Sequence, residues 1–105
     1  MKSENLTDLM AHGTDAQYLD FIRSQPSCIS GAWSIWMPEK GTGRCEACHF
    51  RTAKNSGMGM KPPYSAIPMT RAEHREQHRI GQFNFMPRHW WEKQIEKYRQ
   101  LFLES

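Results

Sequence analysis

The sequence predicts an α+β fold: a strand–loop–strand–helix (ββα) unit over about residues 45–80, with an N-terminal and a C-terminal helix on either side of it. Two short runs, residues 45–51 and 66–69, have the length and composition of strands. Thr70 and Glu73 follow the second run as a capping box, which predicts the start of a helix.

The ββα unit can be drawn in more detail from its side-chain pattern. The helix is expected to span about residues 71–80 and to stop at Gly81. The segment 52–65 is a loop by its Asn, Gly and Pro content. Alternation along the first strand defines two faces, one with Cys45, Ala47 and His49 and the other with Glu46, Cys48 and Phe50.

The N-terminal part should contribute one short helix. Residues 1–13 are polar without a clear period, so we expect a loose N-terminus and a single domain over residues 14–105. Asp15 is expected to cap a helix that Pro26 ends. One face of this helix carries three apolar side chains, Tyr18, Leu19 and Ile22.

Two further elements complete the prediction. Residues 32–37 resemble a strand that is followed by a turn at Gly41 and Gly43. A final helix over about residues 87–103 should begin with Pro87 as its first helical position. It carries one apolar stripe, formed by Trp91, Ile95, Tyr98 and Phe102.

Composition limits the classes of function. A chain of 105 residues is enough for one domain, and its net charge of +3 permits binding to nucleic acid without requiring it. Three cysteines, an odd number, and the lack of an apolar leader argue against a disulfide framework. We expect no membrane span and a reducing, cytoplasmic location.

Histidines are concentrated in the ββα unit. His74 and His78 are four residues apart on the predicted helix, so their imidazoles lie on one face and can bind one metal ion together. His49 lies in the first strand of the same unit. A single exposed histidine is common on any helix, but three in one unit indicate a site.

These residues carry a resemblance to a known family. Three segments are similar to the small phage and prophage HNH (ββα-metal, His-Me finger) endonucleases, which include recombination-associated members: CEACHFR, NSGMGMKPP and AIPMTRAEHREQH. The family pattern is a strand ending in Ala-His or His-His, a Gly-rich loop ending in Lys-Pro, a Pro-Leu-Cys strand exit, and a helix reading His-His-x3-His. The resemblance covers residues 18–86, and YLDFIRSQPSCISG looks like the family's approach to its first knuckle.

The resemblance implies a metal-dependent hydrolysis of DNA phosphodiester bonds. His49 matches the general base, His78 matches a metal ligand, and His74 matches a second ligand or a group that orients water and phosphate. Cys48 stands directly before the base and is a further candidate ligand, which would favour zinc over magnesium. The metal is left open among Mg, Mn, Ni and Zn.

The expected partner is DNA, in phage or prophage recombination or DNA processing inside a bacterial host cell. Recombination proteins are possible additional partners. Basic side chains in and around the unit are the candidates for contacts with the phosphate backbone: Arg51, Lys61, Arg71, Arg75 and Arg79.

The sequence departs from the family at its structural zinc site. The positions of the two cysteine knuckles align with Ser27, Ser30, Thr70 and Glu73, none of which is a thiol. We therefore expect no structural zinc there, and we expect the stabilisation to come from the segments around Trp33, Trp36, Trp90 and Trp91.

Two alternatives remain open from the sequence. One is a DNA-binding module that keeps the scaffold without catalysis. The other is an interaction protein stabilised by a closed zinc site, for which the ligands would be Cys45, Cys48, His74 and His78.

Overall fold

A computed structural model describes residues 6–51 and 61–105, and these form a small mixed α+β domain. The helices in this part of the chain are α1 (Leu6–His12), α2 (Asp15–Arg23), α3 (Arg71–Ile80), α4 (Gln82–Phe85) and α5 (Arg88–Leu103). The strands are β1 (Ile35–Met37), β2 (Thr42–Arg44), β3 (Glu46–His49) and β4 (Ala66–Met69). The predicted α+β class is confirmed.

The strands form two separate antiparallel pairs. β1 pairs with β2, and β3 pairs with β4 in a register that sets Glu46 opposite Met69 and His49 opposite Ala66. The chain order β3, β4, α3 is the predicted one, and β4 and α3 have the predicted bounds. β3 is shorter than the predicted run of residues 45–51. Of the predicted loop at residues 52–65, residues 52–60 lie outside the described part.

Helix α3 begins and ends as its sequence predicts. The Thr70 hydroxyl accepts a hydrogen bond from the Glu73 amide, and the Glu73 carboxylate accepts one from the Thr70 amide. Gly81 follows the helix with a positive φ of 93°, a conformation that glycine adopts without steric cost. This helix holds two of the three candidate histidines on a rigid element.

Helix α2 is capped by a different residue from the one predicted. The Thr14 side chain accepts from the Gln17 amide, and the Gln17 side chain accepts from the Thr14 amide. Asp15 is instead the first helical residue, and its carboxylate accepts a hydrogen bond from the amide of Tyr64 at 2.8 Å. The correction has a simple cause: a threonine hydroxyl one position earlier completes a full capping box.

The prediction of a loose N-terminus is wrong for the described residues 6–12, which form α1. Leu9 is completely buried in the core, and α1 packs against α5. A single buried leucine produces no periodicity that the sequence would show. Short helices take most of their stability from tertiary packing, so the local sequence pattern does not predict α1. Residues 1–5 lie outside the described part.

The core lies between α2, β3, β4 and α5. The predicted stripe on α5 is confirmed, since all four of its side chains are buried. The helix itself begins at Arg88, with Pro87 as the N-cap residue, and the preceding short helix α4 was not predicted. The largest fully buried side chains include Trp91, Tyr18, Leu9, Ile22, Ile67 and Met69.

The tryptophans divide between core and surface. Trp91 is fully buried and Trp90 packs against the core. Trp36 is 53% exposed in the β1–β2 hairpin, and Trp33 is half-buried beside it. Of the four tryptophan segments from which stabilisation is expected, those at Trp33, Trp90 and Trp91 bury their rings at least in part, whereas the ring of Trp36 stays largely exposed. The predicted strand over residues 32–37 is reduced to β1, because pairing with β2 begins only at Ile35.

Candidate active site

His74 and His78 converge on one point beside α3. Their Nε2 atoms are 3.1 Å apart, and the ring centroids are 4.8 Å apart. Two imidazole nitrogens that each lie about 2.1 Å from one cation, at octahedral to tetrahedral angles, are separated by about 3.0–3.4 Å. The observed spacing therefore fits a pair of ligands to a single metal ion.

Glu46 orients the first of these rings. Its Oε1 accepts a hydrogen bond from Nδ1 of His74 at 2.9 Å, across a separation of 28 residues in the chain. With the proton on Nδ1, Nε2 of His74 carries the lone pair: it accepts the hydrogen bond from Nε2 of His78 and is the atom that could bind a metal instead. Arg71 lies 3.7 Å from the other carboxylate oxygen of Glu46. Sequence analysis did not select Glu46, because only the packing of α3 on β3 brings the two residues together.

His49 lies at the same cavity as the two helix histidines. A small cavity of about 90 Å³ is lined by Ala47, His49, Arg51, Lys61, His74 and His78. The structure thus brings the three predicted histidines together, one from β3 and two from α3. A neighbouring open cavity of about 350 Å³ shares His49, Arg51 and His78 and is also lined by Gln77, Gly81 and Gln82.

The environment keeps His49 neutral. Burial, followed by the positive charges of Lys61 and Arg51, lowers the pKa of His49 to about 4. Burial and the neighbouring His74 also lower the pKa of His78. Neutral imidazole is the form that accepts a proton or binds a metal, and both rings are neutral at pH 7. A pKa of about 4 also makes His49 a weaker base than an ordinary histidine.

Two of the five predicted basic residues reach this site. Arg51 and Lys61 line the smaller cavity with the histidines. Gln82 holds the backbone of Arg51 on both sides: its Oε1 accepts from the Arg51 amide at 3.2 Å, and its Nε2 donates to the Arg51 carbonyl. The arrangement directs two cations toward a space in which an anion would fit.

The other three predicted basic residues line neither of these two cavities. Arg71 is largely exposed and pairs with Glu46. Arg79 forms an ion pair with Glu76 on the surface of α3, and Arg75 is exposed on the same helix. The structure therefore does not place these three arginines at the histidine cavity.

The cysteines are not part of this site. Cys48 is fully buried, its thiol donates to Oε1 of Gln77 at 3.3 Å, and burial raises its pKa to about 12. Cys45 is also buried, with its sulfur 3.5 Å from the carbonyl oxygen of Ala32. Within residues 6–51 and 61–105, no three His, Cys, Asp or Glu side chains converge as metal ligands.

Two predicted ligand sets are corrected by this geometry. Cys48 does not join His74 and His78, and the four-residue set with Cys45 is not assembled as a zinc site. The reason is the alternation along β3: the side chain of Cys48 points into the core, while that of its neighbour His49 points into the cavity.

The four knuckle positions are brought together by hydrogen bonds. Ser27 and Ser30 donate through their hydroxyls to the two carboxylate oxygens of Glu73, each at 2.6 Å. The amide of Thr70 donates to Oε1 of Glu73 at 2.8 Å. We call this group of Ser27, Ser30, Thr70 and Glu73 the Ser–Glu clasp. It joins the segment after α2 to the start of α3.

Comparisons with models of protein families, with curated proteins and with solved structures found no match to this chain. No helix in the described segments has the length and apolar character that are needed to cross a membrane. Any statement about function therefore depends on the geometry of the site itself.

Proposed function

We propose that this chain is a metal-dependent DNA endonuclease of the HNH (ββα-metal) type, acting in phage or prophage recombination or DNA processing. The observation that carries the proposal is the convergence of three histidines and two cations on one small cavity. The 3.1 Å spacing of the His74 and His78 nitrogens, which suits two ligands of one ion, supports it.

The proposed roles follow from chemistry. His74 and His78 would hold a divalent cation, which when bound neutralises charge on the phosphate and on the leaving oxygen. The thiols of Cys45 and Cys48 are buried away from the cavity, so the proposed protein ligands are the two imidazoles. The metals to test are Mg, Mn, Ni and Zn. Because the protein supplies only these two ligands, the remaining coordination positions of the metal would be open to water and phosphate oxygens, as a catalytic site requires.

His49 is the general base of this proposal. Its neutral imidazole accepts a proton from the attacking water as the new phosphorus–oxygen bond forms and the bond to the leaving oxygen breaks. Arg51 and Lys61 hold the non-bridging phosphate oxygens. Glu46 is a positioning residue, because it acts on the substrate only through the ring of His74.

The decisive experiment is cleavage of supercoiled plasmid and of single-stranded DNA with each of the four metals supplied in turn. We expect nicking with at least one metal, and a loss of at least about 100-fold in rate for His49→Ala. His89→Ala is the matched control, since His89 is exposed on α5 and lines neither cavity. Equal rates for the two variants would overturn the proposal, and binding without cleavage under every condition would indicate a DNA-binding module.

A further inference from the structure

Two cavities of different size meet at the proposed catalytic residues. The smaller, of about 90 Å³, has room for about three water molecules, so it can hold a metal ion and phosphate oxygens but not a nucleotide. The larger, of about 350 Å³, is in the range of about 300–1,000 Å³ in which proteins bind small molecules. His49, Arg51 and His78 line both cavities. A strand whose scissile phosphate lies in the smaller cavity can therefore extend directly into the larger one.

The wall of the larger cavity contains a buried polar side chain, that of Gln77 on α3. Gln77 is only 5% exposed, and its Oε1 accepts a hydrogen bond from the thiol of Cys48 at 3.3 Å. Cys48 is fully buried in the core, so this hydrogen bond fixes Oε1 on the core side of the amide group. Nε2 lies on the other side of the amide carbon and is therefore directed to the cavity that Gln77 lines.

Nε2 of Gln77 donates to no group in the described part of the chain. Within residues 6–51 and 61–105, the hydrogen bond from Cys48 to Oε1 is the one that the Gln77 side chain forms. A side-chain amide carries two N–H donors at its nitrogen. Buried polar groups in proteins almost always have a partner, so two donors that face a cavity indicate a ligand with accepting oxygens.

The other groups in this wall favour an anion. The guanidinium of Arg51 has only donors and a permanent positive charge. Both polar atoms of the Gln82 amide are already used, because they hold the backbone of Arg51. Among the described residues, no aspartate or glutamate lines the cavity. A phosphate group meets these conditions, since its oxygens accept several hydrogen bonds and carry negative charge.

We propose that the larger cavity binds the phosphodiester next to the scissile one in a DNA strand, and that Gln77 donates from Nε2 to an oxygen of that phosphate. Every nucleotide of a strand carries a negative charge, so a neighbouring phosphate is always at hand when the strand is cut internally. Gln77 is a binding residue and takes no part in breaking the bond. This inference rests on the proposed function for the identity of the ligand, and it adds a substrate requirement, a phosphate beside the bond that is cut.

Nuclear magnetic resonance of the ¹⁵N-labelled protein in EDTA observes the Gln77 amide directly. Its side-chain NH₂ signals are identified by their absence in Gln77→Met. On addition of an 8-mer of dT, we expect these signals to shift and to reach saturation. The side-chain signals of Gln17 should not move, because Gln17 is exposed on α2 and lines neither cavity. Unmoved Gln77 signals at a saturating concentration of the 8-mer would overturn the inference.

A matched pair of glutamate variants measures the contribution of Gln77 to affinity. Gln77→Glu keeps an oxygen for the Cys48 thiol and replaces the donors by a negative charge, so the 8-mer should bind at least about tenfold more weakly. Gln17→Glu is the control, because it changes the net charge equally and glutamate also completes the capping box with Thr14. Fluorescence anisotropy in EDTA gives the affinities, and equal values for the two variants would overturn the inference. The resonance experiment on the wild-type protein decides the inference even if Gln77→Glu does not fold.

Inorganic phosphate distinguishes a DNA strand from a free anion as the ligand. At equal concentration it should shift the Gln77 signals much less than the 8-mer does, because it makes no contacts outside the cavity. A larger shift with inorganic phosphate than with the 8-mer would indicate a site for a free anion and overturn the inference.

The two proposals fail in different ways. Nicking that depends on His49, together with unmoved Gln77 signals, would leave the nuclease standing and overturn this inference. Gln77 signals that move with the 8-mer, while no metal supports cleavage, would support the phosphate site and overturn the nuclease.

Discussion

Ser27 donates its hydroxyl hydrogen to Oε1 of Glu73 at 2.6 Å, across 46 residues of the chain. Ser30 does the same to Oε2, so both carboxylate oxygens are held from one loop. Burial alone would raise the pKa of Glu73, but the hydrogen bonds from the two serines and Thr70 outweigh it and hold that pKa below its usual value. Hydrogen bonds to a charged acceptor are among the stronger ones in proteins. The Ser–Glu clasp thus connects the segment after α2 to the start of α3.

Glu73→Ala should therefore destabilise the domain. We expect the free energy of unfolding in urea to fall by about 2 kcal/mol, because the variant removes charged hydrogen bonds and leaves the buried Ser27 without its acceptor. Glu76→Ala is the matched control on the same helix, since Glu76 is partly exposed and forms a surface ion pair with Arg79. Equal losses for the two variants would show that the clasp contributes no more than a surface ion pair.

The low pKa of His49 makes stability depend on pH. The folded-state pKa of His49 is about 4 and the ordinary pKa of a histidine is 6.5, so between these pH values the unfolded chain binds a proton that the folded domain does not. The free energy of unfolding must therefore decrease as the pH falls from about 6.5 towards 4. His49→Asn should lose less stability than wild type between pH 7 and pH 5 in urea titrations. Equal losses of unfolding free energy in wild type and His49→Asn would contradict the lowered pKa of His49.

Cys48 should be unreactive in the folded protein. With its pKa raised to about 12 by burial, only about one thiol in ten thousand is ionised at pH 8, and the side chain is fully enclosed. Iodoacetamide labelling followed by peptide mass spectrometry should find Cys48 unmodified in the native state and modified in guanidinium chloride. Rapid native labelling, or protection that a zinc chelator removes, would argue for the thiolate zinc site that the sequence left open.

Glu46→Gln should weaken metal binding without removing a ligand. A glutamine can present its amide group to Nδ1 of His74 and no longer favours the tautomer with a bare Nε2, so we expect about 10- to 100-fold lower affinity. Titration calorimetry with Mn or Zn on the metal-free protein measures this directly. Glu92→Gln is the control, because Glu92 is an exposed carboxylate that pairs with Arg88 on α5. If Glu46→Gln binds the metal as tightly as Glu92→Gln does, Glu46 does not position His74 for metal binding.

Some of the fold could be predicted because its causes are local. The capping box of Thr70 and Glu73, the stop at Gly81 and the stripe on α5 depend on residues within one or two helical turns of each other, and the structure has all three. Helix α1 was missed for the converse reason: Leu9 is its one buried residue, and its burial depends on α5, which lies far along the chain.

The sequence by itself determined which groups are available: two imidazoles at helical spacing, a third on a strand that ends before a loop, and basic residues near them. Only the tertiary structure decided their partners. Packing of α3 against β3 brings the Glu46 carboxylate into hydrogen-bond contact with His74. In the folded domain the side chain of Cys48 is buried in the core, and Arg51 and Lys61 line the cavity with the histidines. The physical reason is that helical hydrogen bonds, caps and side-chain periodicity act between near neighbours, whereas contacts between side chains dozens of residues apart exist only after the elements have packed.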